Sequence, residues 1–356
     1  MLHPADMSLC LHTLRVTQGG IVGSILRGTG FGHQTINDQI TSIDYVDANG
    51  NFQIVSDPLE LRAAAACFGL IGIVTHITYK VHNMTYAVMR PRKLPTLLAV
   101  PPVDRSKVPE GLDFDITDDQ FGEAIKDFER RAETDDYAAW CWFPYQSDIY
   151  VNTWSSVADS SDAVEYTTPD QTFMQWIAGW LGGIMISTDF FADLPARWQA
   201  QLLAITANAV LPPVTSDPED LTIKTALPNA QHFRRDYQYI RAREMELEIP
   251  IPALASDPSK PDWSMVRKAW WDVINLVYTS GASPLRLTME LRILGDSNLI
   301  MAPQKGNMHG TAAIEITTIP YLVPDEEWSS FRQQVADMLM TLAPEGRVRP
   351  HWGKDW

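Results

Sequence analysis

The residues from Leu285 to Ile293 constrain the fold more than any other part of the chain, because apolar and polar side chains alternate there without a break. The apolar positions are Leu285, Leu287, Met289, Leu291 and Ile293. A period of two predicts a β-strand with one buried face. We expect Arg286, Glu290 and Arg292 to share the other face. A surface strand with one ion pair, worth ~0–1 kcal/mol, is the simpler interpretation.

The composition fits a globular protein with a large core and narrows the choice of partners. The chain has 356 residues, of which 45% are hydrophobic, so it is long enough for two domains. The formal net charge of −16 argues against nucleic acid and against an anionic membrane as a main partner. The first residues lack a basic segment followed by an apolar run, so we expect no secretory signal there.

The longest apolar stretch, Phe173 to Ile186, is too short to cross a membrane. It contains a glutamine and three glycines, whereas a spanning helix needs about 20 apolar residues for a hydrocarbon core of ~30 Å. We therefore expect no transmembrane segment. A buried helix and an interfacial lid are both open interpretations, with a preference for the lid, and peripheral contact with a membrane stays open as well.

Glycines and a hairpin dominate the first recognisable unit. Six glycines lie between Gly19 and His33, ending in Gly28, Gly30 and Gly32, and such a run lets backbone amides approach a phosphate or a flavin ring. Two apolar runs then flank Asn49-Gly50, a strong hairpin signal. A helix capped by Asp57 and a β-branched strand follow.

The order of these elements, ending in the residues GLIGIVT from position 69, resembles the second FAD-binding subdomain of the vanillyl-alcohol oxidase (PCMH-type) flavoprotein family. The resemblance implies FAD as cofactor. It also implies a cofactor-binding role for Gly28, Gly30, Gly32 and Gly72, together with Ile73 and His33. Family members carry an earlier subdomain that this sequence lacks. Either the sequence is truncated or cofactor binding is impaired, and we favour truncation.

Predicted strands are interspersed with predicted helices over the next ~200 residues, and this pattern predicts an α+β fold with an antiparallel sheet. A proline-rich stretch from Pro91 to Asp113 reads as a linker. We expect a partial FAD-binding domain at 1–88, a substrate-binding domain at 89–342, and a C-terminal segment at 343–356 that returns to the flavin. Aromatic residues crowd the middle of the chain, which fits a hydrophobic substrate.

The chain ends in the residues RPHWGKDW from Arg349 to Trp356. A frayed tail is the default for a terminus, but leaving so much tryptophan in water is unfavourable. The segment resembles the closing motif of the sugar-lactone and alditol oxidases in the same flavoprotein family. That resemblance implies that Lys354 returns to the flavin and that His351 lies at the cofactor. The middle of the chain resembles the substrate domain of the covalent-flavin cholesterol oxidases.

These resemblances imply an FAD-dependent oxidation of a CH–OH group, with hydride transfer to flavin N5 and molecular oxygen as acceptor. Arg292 would face the flavin, Glu290 would orient it or receive the hydroxyl proton, and Lys354 would supply a second positive charge. Glu315, Thr317 and Trp142 are the candidate substrate residues.

A sugar lactone or polyol is one substrate class and a sterol-like alcohol the other. The rival interpretation is a non-catalytic chain that binds an apolar ligand. Neither a metal-binding spacing nor a G-x-S-x-G motif occurs.

Overall fold

Fourteen strands and nine helices occur in the part of the chain that this computed structural model describes, residues 25, 30–211, 222–231, 241–281, 283–343 and 347–355. The strands are β1 (Ile40–Val46), β2 (Phe52–Val55), β3 (Ile73–Tyr79), β4 (Tyr86–Met89), β5 (Arg92–Pro95), β6 (Tyr137–Trp142), β7 (Asp148–Val157), β8 (Ile223–Ala226), β9 (Arg243–Pro250), β10 (Ala253–Leu254), β11 (Asp257–Pro261), β12 (Met289–Leu294), β13 (Thr311–Thr318) and β14 (Arg349–Pro350). The helices are α1 (Pro58–Ala64), α2 (Thr96–Ala99), α3 (Asp118–Thr134), α4 (Pro169–Ile186), α5 (Asp189–Ala192), α6 (Ala196–Val210), α7 (Leu227–Gln231), α8 (Trp263–Thr279) and α9 (Asp325–Met340).

The strands form a three-stranded sheet, a two-stranded hairpin and one nine-stranded sheet. The small sheet has the order β2-β1-β3, and the large one has the order β14-β9-β13-β12-β6-β7-β4-β8, with β5 also paired to β7. Every pairing between named strands is antiparallel. The predicted α+β class with an antiparallel sheet is confirmed. No helix in the described ranges combines the length and apolarity needed to span a bilayer.

The predicted hairpin near the start of the chain is formed by β1 and β2. The Asp47 side chain accepts hydrogen bonds from the backbone N–H groups of Asn49 and Asn51 at 2.8 and 2.9 Å, and Gly50 adopts φ +81° in the turn. These bonds lower the pKa of Asp47. Helix α1 begins where expected, since the Asp57 carboxylate accepts from the first backbone N–H groups of the helix.

Gly72 has a structural role at the start of β3. Its φ of +134° lies in a region that L-residues rarely adopt, and an added Cβ would collide with the backbone carbonyl of Val46. A glycine is therefore required here for the small sheet to close. The predicted cofactor contact of Gly72 is not needed to explain its presence.

One face of the large sheet is covered by helices, as the alternation in β12 requires. Met289, Leu291 and Ile293 are completely buried in one core cluster with Trp270 of α8 and Phe331 of α9. Burying a large apolar side chain contributes about 1.5–3 kcal/mol. The helices therefore fix this face of β12, and the polar positions between these residues must point to the opposite face.

The proline-rich stretch does not form a linker. Residues Arg92–Pro95 pair with β7, and both Leu97 and Val100 are completely buried in the main core. The prolines stand at strand and helix boundaries, where a missing N–H is tolerated. The chain passes from the small sheet to the large one between Tyr79 and Tyr86, and the division into domains at 88 and 342 stays a proposal.

The two glycines of the small sheet give a test of this packing. Gly72→Ala should lower the free energy of unfolding by about 2–3 kcal/mol, because it adds a backbone collision to an unfavourable φ. Gly50→Ala is the matched control: it shares the positive φ but meets no neighbour within 4 Å, so it should cost about 1 kcal/mol. Urea unfolding of both variants measures the difference. Equal losses would show that the collision is relieved by a backbone shift.

Candidate active site on the polar face of the large sheet

Four side chains from four adjacent strands form a row across the polar face of the large sheet. Cys141 of β6 is paired with Glu290 of β12, Glu290 with Glu315 of β13, and Glu315 with Glu246 of β9. Directly opposed residues of antiparallel strands have Cβ atoms about 4.5–5.5 Å apart. Like charges at such positions repel one another, so the three carboxylates require cations beside them.

The first cation is Arg292, which forms a two-point ion pair with Glu290. Arg292 Nε donates to Glu290 Oε1 and Nη2 donates to Oε2, both at 2.7 Å. The two side chains are only 7% and 13% exposed. Burial opposes the charged form, but the Glu290 carboxylate outweighs it, so the pKa of Arg292 lies well above its usual range. Arg292 therefore keeps its positive charge beside Glu290.

The second cation is Lys354 from the C-terminal segment, and three carboxylates surround it. Its Nζ lies 2.8 Å from Glu246 Oε2 and 3.4 Å from Glu244 Oε2, and it also contacts Glu315 Oε1. Glu246 is completely buried. Burial and repulsion from Glu315 raise the pKa of Glu244, against the attraction of Lys354. Glu315 thus contacts Lys354 while it faces Glu290, and it joins the two cationic groups into one cluster.

The part of the C-terminal segment that the structure describes, residues 347–355, is held against the sheet. Arg349 and Pro350 pair with β9 as β14, and Arg349 donates to three backbone carbonyls of the chain between β12 and β13. The indole N–H of Trp352 donates to Met301 O at 2.7 Å. His351 is buried, its backbone N–H donates to Glu246 O at 3.0 Å, and its ring Nδ1 accepts from the Gly353 N–H. These contacts hold the turn from which Lys354 reaches the carboxylates.

The end of the glycine run lies alongside the strand that carries the ion pair. Gly30 N–H donates to Ile293 O at 3.0 Å, and Gly295 N–H donates to His33 O at 3.1 Å. An added Cβ on Gly30 would collide with Asp136 O, whereas one on Gly32 would meet nothing within 4 Å. Of Gly30 and Gly32, Gly32 is therefore the one with open space beside its backbone.

The other predicted cofactor residues have different surroundings. His33 Nε2 lies 3.1 Å from Asp136 Oδ1, and this hydrogen bond lowers the pKa of Asp136. More than half of the His33 side chain is exposed. Ile73 is 73% exposed on the outer face of the small sheet. Gly28 lies outside the described residues.

Two side chains lie elsewhere than the sequence predicted. Trp142 is completely buried on the helix-covered face, where it stacks on Tyr278 of α8, away from the polar face that carries Glu290. Trp142 pairs with Met289 of β12, whose side chain packs against the helices, so both side chains lie on the helix-covered face. Arg286 precedes β12 and does not share the face of Glu290 and Arg292; its guanidinium donates to Gln199 Oε1 at 2.8 Å. Thr317 does lie on the polar face, opposite Glu244.

Sequence reasoning missed Glu244, Glu246 and Cys141. The first two alternate with Met245 and Leu247 in β9, so the period-two rule used for β12 would have placed them on the polar face. Cys141 lies opposite Glu290, where burial and the Glu290 carboxylate raise the pKa of its thiol well above the usual range.

The donor groups present fit the carbonyl edge of a flavin. Arg292 uses Nε and Nη2 for Glu290, and its Nη1 makes no hydrogen bond to the described residues. The small side chains of Ala139 and Ala313 flank it on the neighbouring strands. A guanidinium held between two alanines, in the same cluster as Lys354 through Glu315, suits a planar ligand that carries partial negative charge. The residues present are therefore compatible with FAD.

Comparison with known proteins bears on the fold. No protein-family model and no curated protein sequence matches the chain. Among solved structures, a solvent-stable cholesterol oxidase matches with a TM-score of 0.63 and 12% sequence identity, over 98% of this chain and 66% of that one. Cholesterol oxidase from B. sterolicum matches with a TM-score of 0.62 and 14% identity, over 99% of this chain and 66% of that one.

A further match is 6-hydroxy-D-nicotine oxidase from Arthrobacter nicotinovorans, with a TM-score of 0.50 and 12% identity over 91% of this chain and 59% of that one. The chain thus spans less than two thirds of the length of the structures it matches. At such low identity the likeness establishes the fold alone: this chain shares the mixed helix and antiparallel-sheet architecture of these solved structures.

Proposed function

We propose that the chain belongs to an FAD-dependent oxidase that converts a CH–OH group to a carbonyl. The observation that supports this most directly is the buried Glu290–Arg292 ion pair, joined through Glu315 to Lys354 on one face of the sheet. A structural ion pair needs only two residues. A cluster of two cations and four carboxylates, assembled from three strands and the C-terminal segment, is more than stability requires.

The residues that would hold FAD are Gly32 and the backbone near it, together with Arg292 and Lys354. When bound, FAD supplies the acceptor for the hydride that leaves the substrate carbon. Arg292 and Lys354 place positive charge where negative charge develops during the reaction, and in a buried site such charges act strongly. Domain boundaries at 88 and 342 are part of this proposal, with the C-terminal segment completing the site.

A proton must leave the substrate hydroxyl as the carbonyl forms. The C–H pair of electrons leaves as hydride, the O–H proton passes to a carboxylate, and the carbon–oxygen double bond forms. Glu290 and Glu315 face each other across β12 and β13, so either can receive the proton. With Glu244 and Glu246, four carboxylates of the described residues lie beside the two cationic groups Arg292 and Lys354. The cluster would carry a net charge of −2 if every group were ionised, so it favours holding at least one proton.

The substrate class that we propose is an apolar, sterol-type alcohol. Two solved structures of similar fold are cholesterol oxidases, and the helices beside the site expose large apolar surface. A sugar lactone or polyol, suggested by the C-terminal motif, is the alternative. Cholesterol and an aldonolactone, offered separately to the FAD-loaded chain under anaerobic conditions, distinguish them by which one bleaches the flavin absorbance. A chain that is colourless and does not bind added FAD would instead favour the non-catalytic interpretation.

Substitution of Arg292 tests its chemical role. Arg292→Met should slow flavin reduction by substrate at least 10²–10³-fold, roughly the effect of losing one charge-stabilising donor, while FAD is still held by the backbone near Gly32 and by Lys354. Because Met leaves the buried Glu290 uncompensated, the matched control is the double variant Glu290→Gln/Arg292→Met, whose fold is checked by circular dichroism. Stopped-flow absorbance measures the rate. Reduction at the wild-type rate in either variant would remove Arg292 from the mechanism.

The raised pKa of Glu244 predicts a pH-dependent stability. A carboxyl whose pKa is higher in the folded state stabilises the fold at low pH, and this contribution is lost as pH rises through the folded-state pKa. The Tm of Glu244→Gln relative to wild type should therefore increase from pH 4 to pH 7. Scanning calorimetry over this range measures the difference. The exposed Glu123→Gln is the control for removing a surface carboxylate; a Glu244→Gln difference in Tm that falls as pH rises would contradict the interpretation that the cluster holds a proton.

A further inference from the structure

Helices α4 and α6 carry an apolar surface that no described residue covers. On α4, Phe173, Trp176, Trp180 and Ile184 are 46–59% exposed. Their spacing of three, four and four residues places them on one helix face. On α6, Trp198, Leu202 and Ile205 repeat the pattern with 39–59% exposure. We call these seven residues the tryptophan face.

The tryptophan face is additional to the packed side of the same helices. Ile186, Phe191 and Leu203 form a small core with Ile319, so the helices already bury one apolar side. No charged residue occurs between Asp170 and Asp189. A helix that is apolar all round is normally enclosed by protein or lipid. Soluble monomers rarely leave a large contiguous patch of this kind open unless something binds there.

Helices α4 and α6 are attached to the chain segments that flank β12 and β13. Gln199 of α6 donates to the backbone carbonyls of Phe191, Ala192 and Leu194 at 2.9–3.1 Å, and its Oε1 accepts from Arg286 Nε at 2.8 Å. Arg286 leads into β12, and Ile319 directly follows β13. The tryptophan face is therefore presented by an element fixed to the two strands that carry Glu290 and Glu315.

We propose that the tryptophan face docks on a zwitterionic lipid surface, such as a phosphatidylcholine bilayer. Tryptophan is the residue type enriched where protein meets the headgroup layer. The acidic residues nearest in sequence, Asp170, Asp189 and Asp193, are all exposed and disfavour anionic lipid. They complement the choline cation, which the faces of tryptophan rings also attract.

The mode of attachment is interfacial. Helices α4 and α6 contain a single basic side chain, Arg197, whose guanidinium lies 4.8 Å from the centre of the Tyr145 ring, so it offers no polybasic attraction to lipid phosphate. The described helices are too short or too polar to cross a bilayer. The apolar side chains therefore enter the headgroup boundary while the helices lie in its plane. This inference does not depend on the proposed oxidation chemistry.

Flotation of the full chain with phosphatidylcholine vesicles tests the proposal. Wild type should float with the vesicles, and the triple variant Trp176→Gln/Trp180→Gln/Trp198→Gln should partition at least about a hundredfold less, given what burying three aromatic side chains is worth. The matched control is Phe52→Gln/Ile54→Gln/Ile73→Gln, which removes three equally exposed apolar side chains from the small sheet. This control should float like wild type.

Three results would overturn the proposal. One is equal flotation of the triple tryptophan variant and wild type. Another is binding that strengthens when phosphatidylserine replaces part of the phosphatidylcholine. The third is a dimer, seen by light scattering without vesicles, that the tryptophan substitutions dissociate, because a second copy would then occupy the face. Flavin binding measured on the same preparations is independent of all three, so failure here is distinguishable from failure of the proposed function.

Discussion

The contact between Lys354 and the carboxylates of Glu246 and Glu315 is the interaction on which the polar face of the large sheet depends. Without an ammonium there, β9 and β13 would place two buried like charges directly opposite each other. Removing one partner of such a group leaves an uncompensated buried charge, which typically costs about 3–5 kcal/mol. The closing residues of the chain are therefore part of the sheet that precedes them.

Much of the fold could be predicted from local patterns. The Asn49-Gly50 turn, the Asp57 cap and the alternation in β12 each depend on one short-range physical rule, and each has its structural counterpart. The prediction of a linker in the proline-rich stretch was wrong, because proline indicates that a backbone N–H is missing and does not indicate that the chain is exposed. Residues 92–95 occupy strand positions that tolerate it, and their neighbours Leu97 and Val100 fill the core.

The candidate site was less predictable than the fold, because it is made by pairing between distant strands. Glu290 and Arg292 were identified from their own spacing, and Lys354 only through a family resemblance. Glu244 and Glu246 follow the same alternation, but nothing local indicates that β9 lies beside β13. The remaining errors concern which face of the sheet a side chain occupies. Trp142 and Cys141 are adjacent in sequence and point to opposite faces, and only the register with β12 shows which one meets Glu290.

The unbroken row of Cys141, Glu290, Glu315 and Glu246 also limits how the sequence can change in length. An insertion or deletion of one residue inside β9, β12 or β13 would turn every carboxylate beyond it toward the tryptophans of the helix-covered face. Length variation between relatives should therefore collect in the connections, such as the segment between Leu294 and Thr311. The charged row therefore specifies the register of the sheet, because a shift by one position would place its carboxylates among apolar side chains.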